Sequence, residues 1–417
     1  MRHRLTLTAA LACCLLASSP QPPATTAAPK AYAHRAVYRF DGGRWFDGQT
    51  FTPKTVYSVD GVLRETHQGK VDQTYDLAGK FIIAPFAEGH THHFMEGMDY
   101  RAQLREYLAR GVFYAKNPNS IERLTTPVRA HVNTPSSVDV SFAGGGLTSS
   151  GGHPVQVYDF LAERGHIPGW TKQMMSGQAY FVVDSERDLA AVWPKLKAGR
   201  PDFVKAYLEH SEEHGRRKGD AKFYGRRGLD PALLPVVVAR AHADGLRVAV
   251  HVNTAADFRA AVASGADEVA HLPLERLTDE DAREAARRGA VVTTTTISHR
   301  PTAHVKDLDA VHRHNLALLR RAGVTLALGT DDNNRTVFEE VDNLRRLAVF
   351  DELTLLKIWT EDTPRSIFPQ RRIGLLKDGY EASFLALDGN PLELFAHVRK
   401  VSFRIKQGHV LEADGTH

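Results

Sequence analysis

The sequence is poor in cysteine, and both of its cysteines lie in an apolar N-terminal segment. Of the 417 residues only two are cysteine, and these are Cys13 and Cys14, inside the apolar run Leu5–Ala17. The rest of the chain can therefore form no disulfide bond and offers no thiolate to a metal ion. Any metal site must use histidine, carboxylate or lysine side chains.

The sequence also lacks a long apolar run and a strong excess of charge. The run Leu5–Ala17 is too short to span a membrane. The net charge is +4, and three of these charges belong to Arg2, Arg4 and Lys30, which leaves +1 for residues 34–417. The four tryptophans are scattered, and no carboxylate pair of the glycosidase type is evident. We therefore expect no membrane span and no nucleic-acid partner, and a sugar-binding barrel has no support in the sequence.

The N-terminal segment is typical of an export signal. A basic start, Met1-Arg-His-Arg4, precedes the apolar run, and Ala31-Tyr-Ala33 offers a cleavage site of the small-x-small type. We interpret residues 1–33 as a signal peptide and spacer, and we expect a periplasmic or secreted protein. A lipid anchor on Cys13 or Cys14 is the alternative to a plain signal peptide.

Short runs rich in β-branched and aromatic residues, separated by turn signals, occur near both ends of the chain. They are Ala36–Phe40, Thr55–Val59, Ser383–Leu387, Val401–Ile405 and Gly408–Leu411. Such runs predict short strands of a β-meander. We expect residues 34–85 and 366–417 to form one small composite β-sandwich domain.

Between these segments, apolar runs alternate with helix-like segments. The eight runs are Phe81–Pro85, Gly111–Ala115, Val138–Phe142, Phe203–Leu208, Leu246–Val252, Glu268–Leu272, Val291–Thr296 and Val324–Leu328. The clearest helical periodicity lies in Asp230–Asp244, Ala255–Ser264, Asp279–Arg288 and Ala310–Ala322. This alternation predicts an α/β fold with a (β/α)8 TIM barrel over residues 86–365. Residues 117–200, which are rich in glycine and serine, are interpreted as a long connection.

Polar residues with metal-binding side chains end several of the predicted strands, where barrel enzymes carry their chemistry. His90 and His92 are one residue apart and share a strand face, so they can bind one metal ion, while His93 points away. His251 and His271 interrupt apolar runs, which is costly unless the ring has a partner. A metal ion would be such a partner.

An aspartate and a lysine complete the set. Asp331 follows the last apolar run and is the predicted metal ligand. Its neighbour Asp332 could take this role instead, and either aspartate could serve as a helix N-cap. Lys205 stands in an otherwise apolar strand, where a protonated amine is costly. Carbon dioxide can convert a neutral amine to a carbamate that bridges two cations. An ion pair with Glu209 is the alternative.

Together these motifs resemble the metal-dependent amidohydrolase superfamily, in particular its imidazolonepropionase-like and prolidase-like members. The matching segments are Gly79–Pro85, His90–His92, Asp202–Lys205, Val248–His251, Val269–His271, Leu328–Asp331 and Gly389–Glu393. Two positions depart from the family pattern: Glu88 stands where aspartate is usual, and Phe86 stands where glycine is usual.

The resemblance implies a centre of two divalent metal ions and a hydrolytic reaction. Its ligands would be His90 and His92 on one ion, His251 and His271 on the other, Lys205 as a bridging carbamate, and Asp331 as a ligand and proton shuttle. Nitrogen and oxygen donors favour zinc. The implied reaction is cleavage of the C–N bond of a dipeptide or N-acyl amino acid by a metal-bridged hydroxide.

Four further residues are candidates for contact with the small-molecule substrate: His153, Tyr207, Asn253 and Arg300. The same site could instead hydrolyse a cyclic amide or a lactone, or deaminate a ring. A non-catalytic metal-binding barrel is the third hypothesis. The sequence leaves open whether the protein forms a homo-oligomer.

Overall fold

A computed structural model describes residues 36–299 and 307–411. The predicted signal peptide, the two cysteines and Arg300 lie outside the described residues. Within the two described ranges, no helix combines the length and the apolar character that a membrane crossing requires.

The N-terminal segment forms seven short strands. These are β1 (Tyr38–Asp41), β2 (Arg44–Phe46), β3 (Phe51–Pro53), β4 (Val56–Val59), β5 (Val62–Arg64), β6 (Gln73–Asp76) and β7 (Phe81–Ile83). Tight turns separate them, such as the one at Asp60 and Gly61, both of which have positive φ.

Ten strands follow in the middle of the chain. They are β8 (Phe86–Glu88), β9 (Val112–Asn117), β10 (Asp139–Phe142), β11 (Gly146–Thr148), β12 (Tyr180–Val182), β13 (Val204–Tyr207), β14 (Val248–His251), β15 (Glu268–Ala270), β16 (Val291–Thr293) and β17 (Thr325–Ala327). All are paired in parallel, in two sheets of order β10-β9-β8 and β12-β11-β13-β14-β15-β16-β17. Nearly all their residues are buried, as is usual for parallel strands that are covered on both faces.

The helices lie between these strands. They are α1 (Tyr100–Ala109), α2 (Glu122–Thr125), α3 (Val155–Glu163), α4 (Lys172–Met175), α5 (Glu186–Ala198), α6 (His214–Arg217), α7 (Leu234–Ala243), α8 (Ala255–Ala263), α9 (Asp279–Arg288), α10 (Leu308–Ala322), α11 (Val337–Leu347), α12 (Glu352–Lys357) and α13 (Thr363–Ile367). A π-helical turn, Ile358–Asp362, joins α12 to α13. Helices α8, α9 and α11 each begin with a capping box.

The last three strands return to the N-terminal ones. They are β18 (Phe384–Leu387), β19 (Val401–Lys406) and β20 (His409–Leu411). The resulting sheets have the orders β5-β4-β1-β6 and β20-β19-β18-β7-β2-β3. The ring of Phe384 packs edge-on against Phe40 at 4.9 Å and Trp45 at 4.8 Å between centroids. The pairing of strands from both ends of the chain confirms the predicted β-sandwich. The residue limits of the two predicted domains stay a prediction.

The two parallel sheets meet at β8 and β17 through hydrogen bonds that follow the strand ends. Gly89 N donates to Leu328 O at 2.6 Å, and Asp331 N donates to His90 O at 2.9 Å. A Cβ atom at Gly329 would lie 2.6 Å from Cβ of His90, so only glycine permits this approach. The arrangement is that of the predicted barrel, although the strand ladders do not form one continuous sheet.

The run Phe81–Pro85 was counted among the eight barrel runs and also fell in the predicted sandwich range 34–85, and only the first of these assignments was wrong. Phe81–Ile83 is β7, which pairs antiparallel with β18 in the sandwich, and the barrel begins instead at Phe86. Both strands lie in one apolar run, and an apolar run does not reveal which sheet it joins. Residues 117–200, where one strand was predicted at 138–142 and the rest was interpreted as a connection, contain α2, β10, β11, β12, α3, α4 and α5.

Candidate metal centre and substrate cavity

A cavity of about 290 Å³ opens where the carboxyl ends of the barrel strands meet. All six predicted metal ligands line it: His90, His92, Lys205, His251, His271 and Asp331. Parallel strands in a barrel place their carboxyl ends on the same face, which explains why residues far apart in sequence come together here.

Asp331 lies at the centre of the histidines. Its Oδ1 is 3.0 Å from Nε2 of His92 and 3.4 Å from Nε2 of His90, and its Oδ2 is 3.8 Å from Nδ1 of His271. One potential ligand atom from each of His90, His271 and Asp331 lies within 4.8 Å of the others. The ring of His251 is 4.5 Å from that of His271. One small ion could therefore contact several of these groups.

Two of the six residues have a left-handed backbone. His271 has φ 80° and Asp331 has φ 49°. Residues other than glycine rarely adopt this backbone region. Such strain costs on the order of 1–3 kcal/mol per residue and persists where the surroundings enforce it, often at functional sites.

Partners outside the cluster orient two of the rings. The Nδ1 of His92 donates to the carbonyl oxygen of Asn119 at 2.8 Å, which leaves Nε2 facing the cavity. The Nδ1 of His271 lies 2.8 Å from Oγ1 of Thr295. Buried Glu340 holds the segment around Thr295 by accepting hydrogen bonds from Thr296 N and Ile297 N. Such outer partners fix the ring orientation of metal-binding histidines.

Lys205 is 1% exposed, and its Nζ has no hydrogen-bond partner among the described residues. Burial lowers the pKa of Lys205 to about 7, so its neutral amine is accessible near neutral pH. The alternative ion pair with Glu209 is not formed, because Glu209 contacts His251 and Asn253 instead. A Cβ at Gly146 would lie 3.2 Å from Cγ of Lys205, so this glycine leaves room for the lysine.

Glu209 was not predicted from the sequence to be a functional residue. Its carboxylate lies 3.4 Å from Nε2 of His251 and accepts a hydrogen bond from Nδ2 of Asn253 at 2.8 Å. Burial would raise the pKa of Glu209, but the contact with His251 outweighs it and the pKa falls to about 2. The sequence feature that could have indicated this role is the position of Glu209 directly after the apolar run Phe203–Leu208.

The two departures from the family pattern have structural explanations. Glu88 is fully buried and accepts hydrogen bonds from His90 N at 3.1 Å and from Thr330 N and Oγ1 at 3.0 Å, so it ties β8 to the loop that carries Asp331. Burial raises the pKa of Glu88 to about 8. Phe86 is not near the cavity, since it stacks on Trp359 at 3.9 Å.

The predicted substrate contacts lie in different surroundings. His153 and Tyr207 line the cavity, and the ring of His153 stacks on His251 at 4.6 Å. Burial, with the adjacent His251, lowers the pKa of His153 to about 3. Asn253 is not among the lining residues, because its amide is used by Glu209. Arg300 lies outside the described residues.

The residues present fit a divalent cation. Nδ1 of His90 and Nζ of Lys205 are buried without a hydrogen-bond partner in the described parts of the chain, and leaving buried polar atoms unpaired is costly. Imidazole nitrogens and carboxylate oxygens, with no thiolate, are donors that zinc accepts. The cluster could thus hold metal ions and present them to a molecule in the cavity.

Comparison with known proteins identifies a family. The model of the amidohydrolase family matches residues 171–411, more than half of the chain. A curated relative, ochratoxinase from Aspergillus niger, is 27% identical over 207 residues, which span 45% of this chain and 42% of the relative. The match thus covers less than half the length of that relative.

Solved structures have the same fold. The crystal structure of A. niger ochratoxinase has a TM-score of 0.72 at 17% identity and covers 92% of this chain and 98% of its own. A prolidase complexed with N-methylphosphonate-L-proline has a TM-score of 0.70 at 18% identity, with coverages of 90% and 100%. At these identities the likeness shows the fold, and it confirms the predicted barrel with a β-sandwich.

Proposed function

Because the chain belongs to the amidohydrolase family, we propose that it is an exported, metal-dependent hydrolase that cleaves the amide bond of a dipeptide or an N-acyl amino acid. The observation that carries this proposal is the convergence of four histidines, Lys205 and Asp331 on one cavity. The names of two similar proteins, a prolidase and an ochratoxinase, support an amide-type substrate.

We propose that His90 and His92 hold one divalent cation and that His251 and His271 hold the other. Bound cations of this kind would lower the pKa of a water molecule and polarise the scissile carbonyl group. Imidazole and carboxylate donors suit zinc, which we propose as the metal.

Asp331 is proposed to move the proton. Its carboxylate lies 3.0 Å from Nε2 of His92 and borders the cavity, so it can accept a proton from the attacking water and pass it to the amide nitrogen. A C–O bond forms at the carbonyl carbon and the C–N bond breaks. The products are a carboxylic acid and an amine. His153, which lines the cavity and stacks on His251, is proposed to donate a hydrogen bond to a substrate oxygen.

Lys205 is proposed to carry a carbamate. Its neutral amine would add to carbon dioxide and release one proton, and the anionic carbamate so formed would lie at the cavity that the histidines also line. Protein equilibrated with 13C-bicarbonate and zinc should show a carbamate signal by 13C NMR. That signal should be absent from Lys205→Met, and a signal of equal size in that variant would contradict the assignment.

The test of the function is hydrolysis by protein of known metal content. Protein stripped with a chelator should lose activity towards a panel of dipeptides and N-acyl amino acids and regain it with Zn²⁺. Asp331→Asn should abolish turnover, whereas the matched control Asp332→Asn should retain it, because Asp332 accepts a hydrogen bond from Asn334 N in a turn. Activity that survives Asp331→Asn would contradict the mechanism. Release of ammonia from a ring substrate, without amide cleavage, would make the chain a deaminase.

Export is proposed from residues 1–33. Their basic start and apolar run are typical of a signal peptide. Mass spectrometry of the protein from the periplasm or medium should show a mature N-terminus near residue 34. An intact leader on cytoplasmic protein would contradict this proposal.

A further inference from the structure

The cavity is lined by two unlike groups of side chains. One group is the six residues of the proposed metal centre, and the other, which we call the apolar wall, is Met95, Met98, Val157, Leu161 and Ile167. Four members of the apolar wall, all except Val157, lie in or against one hydrophobic cluster. A cavity that is polar at one end and apolar at the other orients a molecule that has the same division.

Helix α3 supplies the most exposed residue of the apolar wall, Val157. Val157 and Leu161 are four residues apart and therefore lie on the same face of the helix, and both line the cavity. Val157 is 40% exposed. An apolar side chain that is exposed within a cavity gains free energy when an apolar ligand covers it.

The apolar wall is fixed relative to the metal centre. Tyr158, a third lining residue of α3 that stands between Val157 and Leu161, donates a hydrogen bond to Oδ1 of Asn119, and the carbonyl oxygen of Asn119 accepts from His92. Met95, Tyr158 and Ile167 also belong to a hydrophobic cluster that is separate from the main core. The wall is therefore built into the fold.

The apolar wall has little capacity for an anionic substrate group. Among the described residues that line the cavity, Lys205 is the one lysine or arginine, and it lies in the metal centre. Of the polar side chains between Leu161 and Ile167, His166 lines the cavity, and it is exposed to solvent. A carboxylate placed against this wall would lose water without gaining a permanent positive partner.

We infer that the substrate places an uncharged apolar group, alkyl or aryl, on the wall formed by Met95, Met98, Val157, Leu161 and Ile167, beside the scissile amide. This inference rests on the proposed hydrolase function. It narrows the proposed substrates to amides with a bulky apolar substituent on one side, and it assigns Val157 and Leu161 to substrate selection.

The first test varies the apolar group on each side of the amide. One series carries acetyl to octanoyl groups on the same amine, and the other carries methyl to octyl amines on the same acid. In one of the two series, kcat/KM should rise by about threefold for each methylene group that becomes buried. Flat responses in both series, with measurable turnover, would overturn the inference and leave the hydrolase function standing.

Variants on α3 localise the effect. Val157→Asn should reduce kcat/KM for the longest substrate by about tenfold and that for the acetyl substrate by less than about twofold, and Val157→Leu should keep the chain-length dependence. Phe160→Asn is the matched control, because Phe160 is 50% exposed on the same helix and does not line the cavity. Equal effects of the two asparagine variants would overturn the assignment.

If the protein turns over no substrate, that result contradicts the proposed function alone. A binding measurement still tests the inference about the apolar wall. N-octylacetamide should bind to the metal-free protein in calorimetry more tightly than N-methylacetamide, and Val157→Asn should remove most of this difference. Equal binding of the two amides to the wild-type protein would overturn the inference. Thermal unfolding of each variant shows whether a loss of binding comes from a loss of folded protein.

Discussion

Two buried polar clusters of this protein differ in how completely their charges are paired. In the first, which we call the Asp139 network, Asp139 of β10 binds Lys406 of β19 at 2.7 Å and Arg371 at 2.7 Å, and Arg371 also binds Glu381 at 2.6 Å. Each charged group has an opposite partner. The network ties a barrel strand to the sandwich.

The second, the cavity cluster, consists of the six proposed metal ligands and is incompletely paired. Its members His90 and Lys205 each have a buried nitrogen without a hydrogen-bond partner among the described residues, and His271 and Asp331 have positive φ. In the Asp139 network each charge depends on its partner, whereas the unpaired nitrogens of the cavity cluster are suited to binding an ion. We therefore expect the same substitution, aspartate to asparagine, to reduce stability much more in the Asp139 network than in the cavity cluster.

The largest effect on stability is expected from breaking the Asp139 network. Asp139→Asn leaves the ammonium group of Lys406, which is 0% exposed, without its carboxylate partner. We expect the free energy of unfolding to fall by about 3–5 kcal/mol. Urea denaturation measures this loss. The control is Asp342→Asn, which breaks an exposed ion pair with Arg399 and should cost less than about 1 kcal/mol. Equal losses of stability in the two variants would contradict the distinction between the buried network and an exposed pair.

Zinc should stabilise the protein through the cavity cluster. At about a hundred times its dissociation constant, Zn²⁺ should add about 2.7 kcal/mol to the free energy of unfolding of chelator-treated protein. Thermal unfolding with and without Zn²⁺ measures the gain. His90→Asn should remove most of it, and His409→Asn, an exposed position, should keep it. A gain that is equal in all three proteins would place the metal elsewhere.

A buried histidine outside both clusters should give a smaller, pH-dependent effect. Burial lowers the pKa of His312 to about 4, whereas the unfolded side chain titrates near 6.5. Below pH 6.5 the unfolded state therefore binds more protons, and stability falls as the pH falls. Between pH 6.5 and 5 this histidine should account for about 2 kcal/mol. His312→Asn should reduce the pH slope of metal-free protein, while an unchanged slope would show that His312 does not contribute.

The smallest effect on stability should come from the residue with the largest proposed effect on activity. Asp331→Asn keeps the shape of the side chain, and asparagine tolerates positive φ. We expect the free energy of unfolding of metal-free protein to change by less than about 1 kcal/mol, in contrast to Asp139→Asn. Urea denaturation of both variants side by side checks this. A loss as large as that of Asp139→Asn would mean that Asp331 is a structural residue.

Residues at strand ends were the easiest part of the site to predict. His251, His271 and Asp331 each interrupt or follow an apolar run, and the structure places all three in the cavity. Glu209 follows the same kind of run, but its role depends on contact with His251, which the sequence does not reveal. Asn253 was expected to face the substrate, and its amide instead holds Glu209.

The apolar wall could not be predicted from periodicity. Val157 and Phe160 of α3 are both apolar and both largely exposed, so a hydrophobic pattern alone does not separate the residue that lines the cavity from the one that does not. The region was interpreted as a connection because glycine and serine precede the helix. Its place over the strand ends depends on packing against Asn119 and the second hydrophobic cluster.

The sequence by itself determined the alternation of strands and helices, the family to which the chain belongs and the side chains that end the barrel strands, because these depend on local pattern and residue type. Only the tertiary structure decided which sheet takes Phe81–Ile83, which buried charges are paired and which apolar residues face the cavity. Those properties depend on which distant segments come into contact.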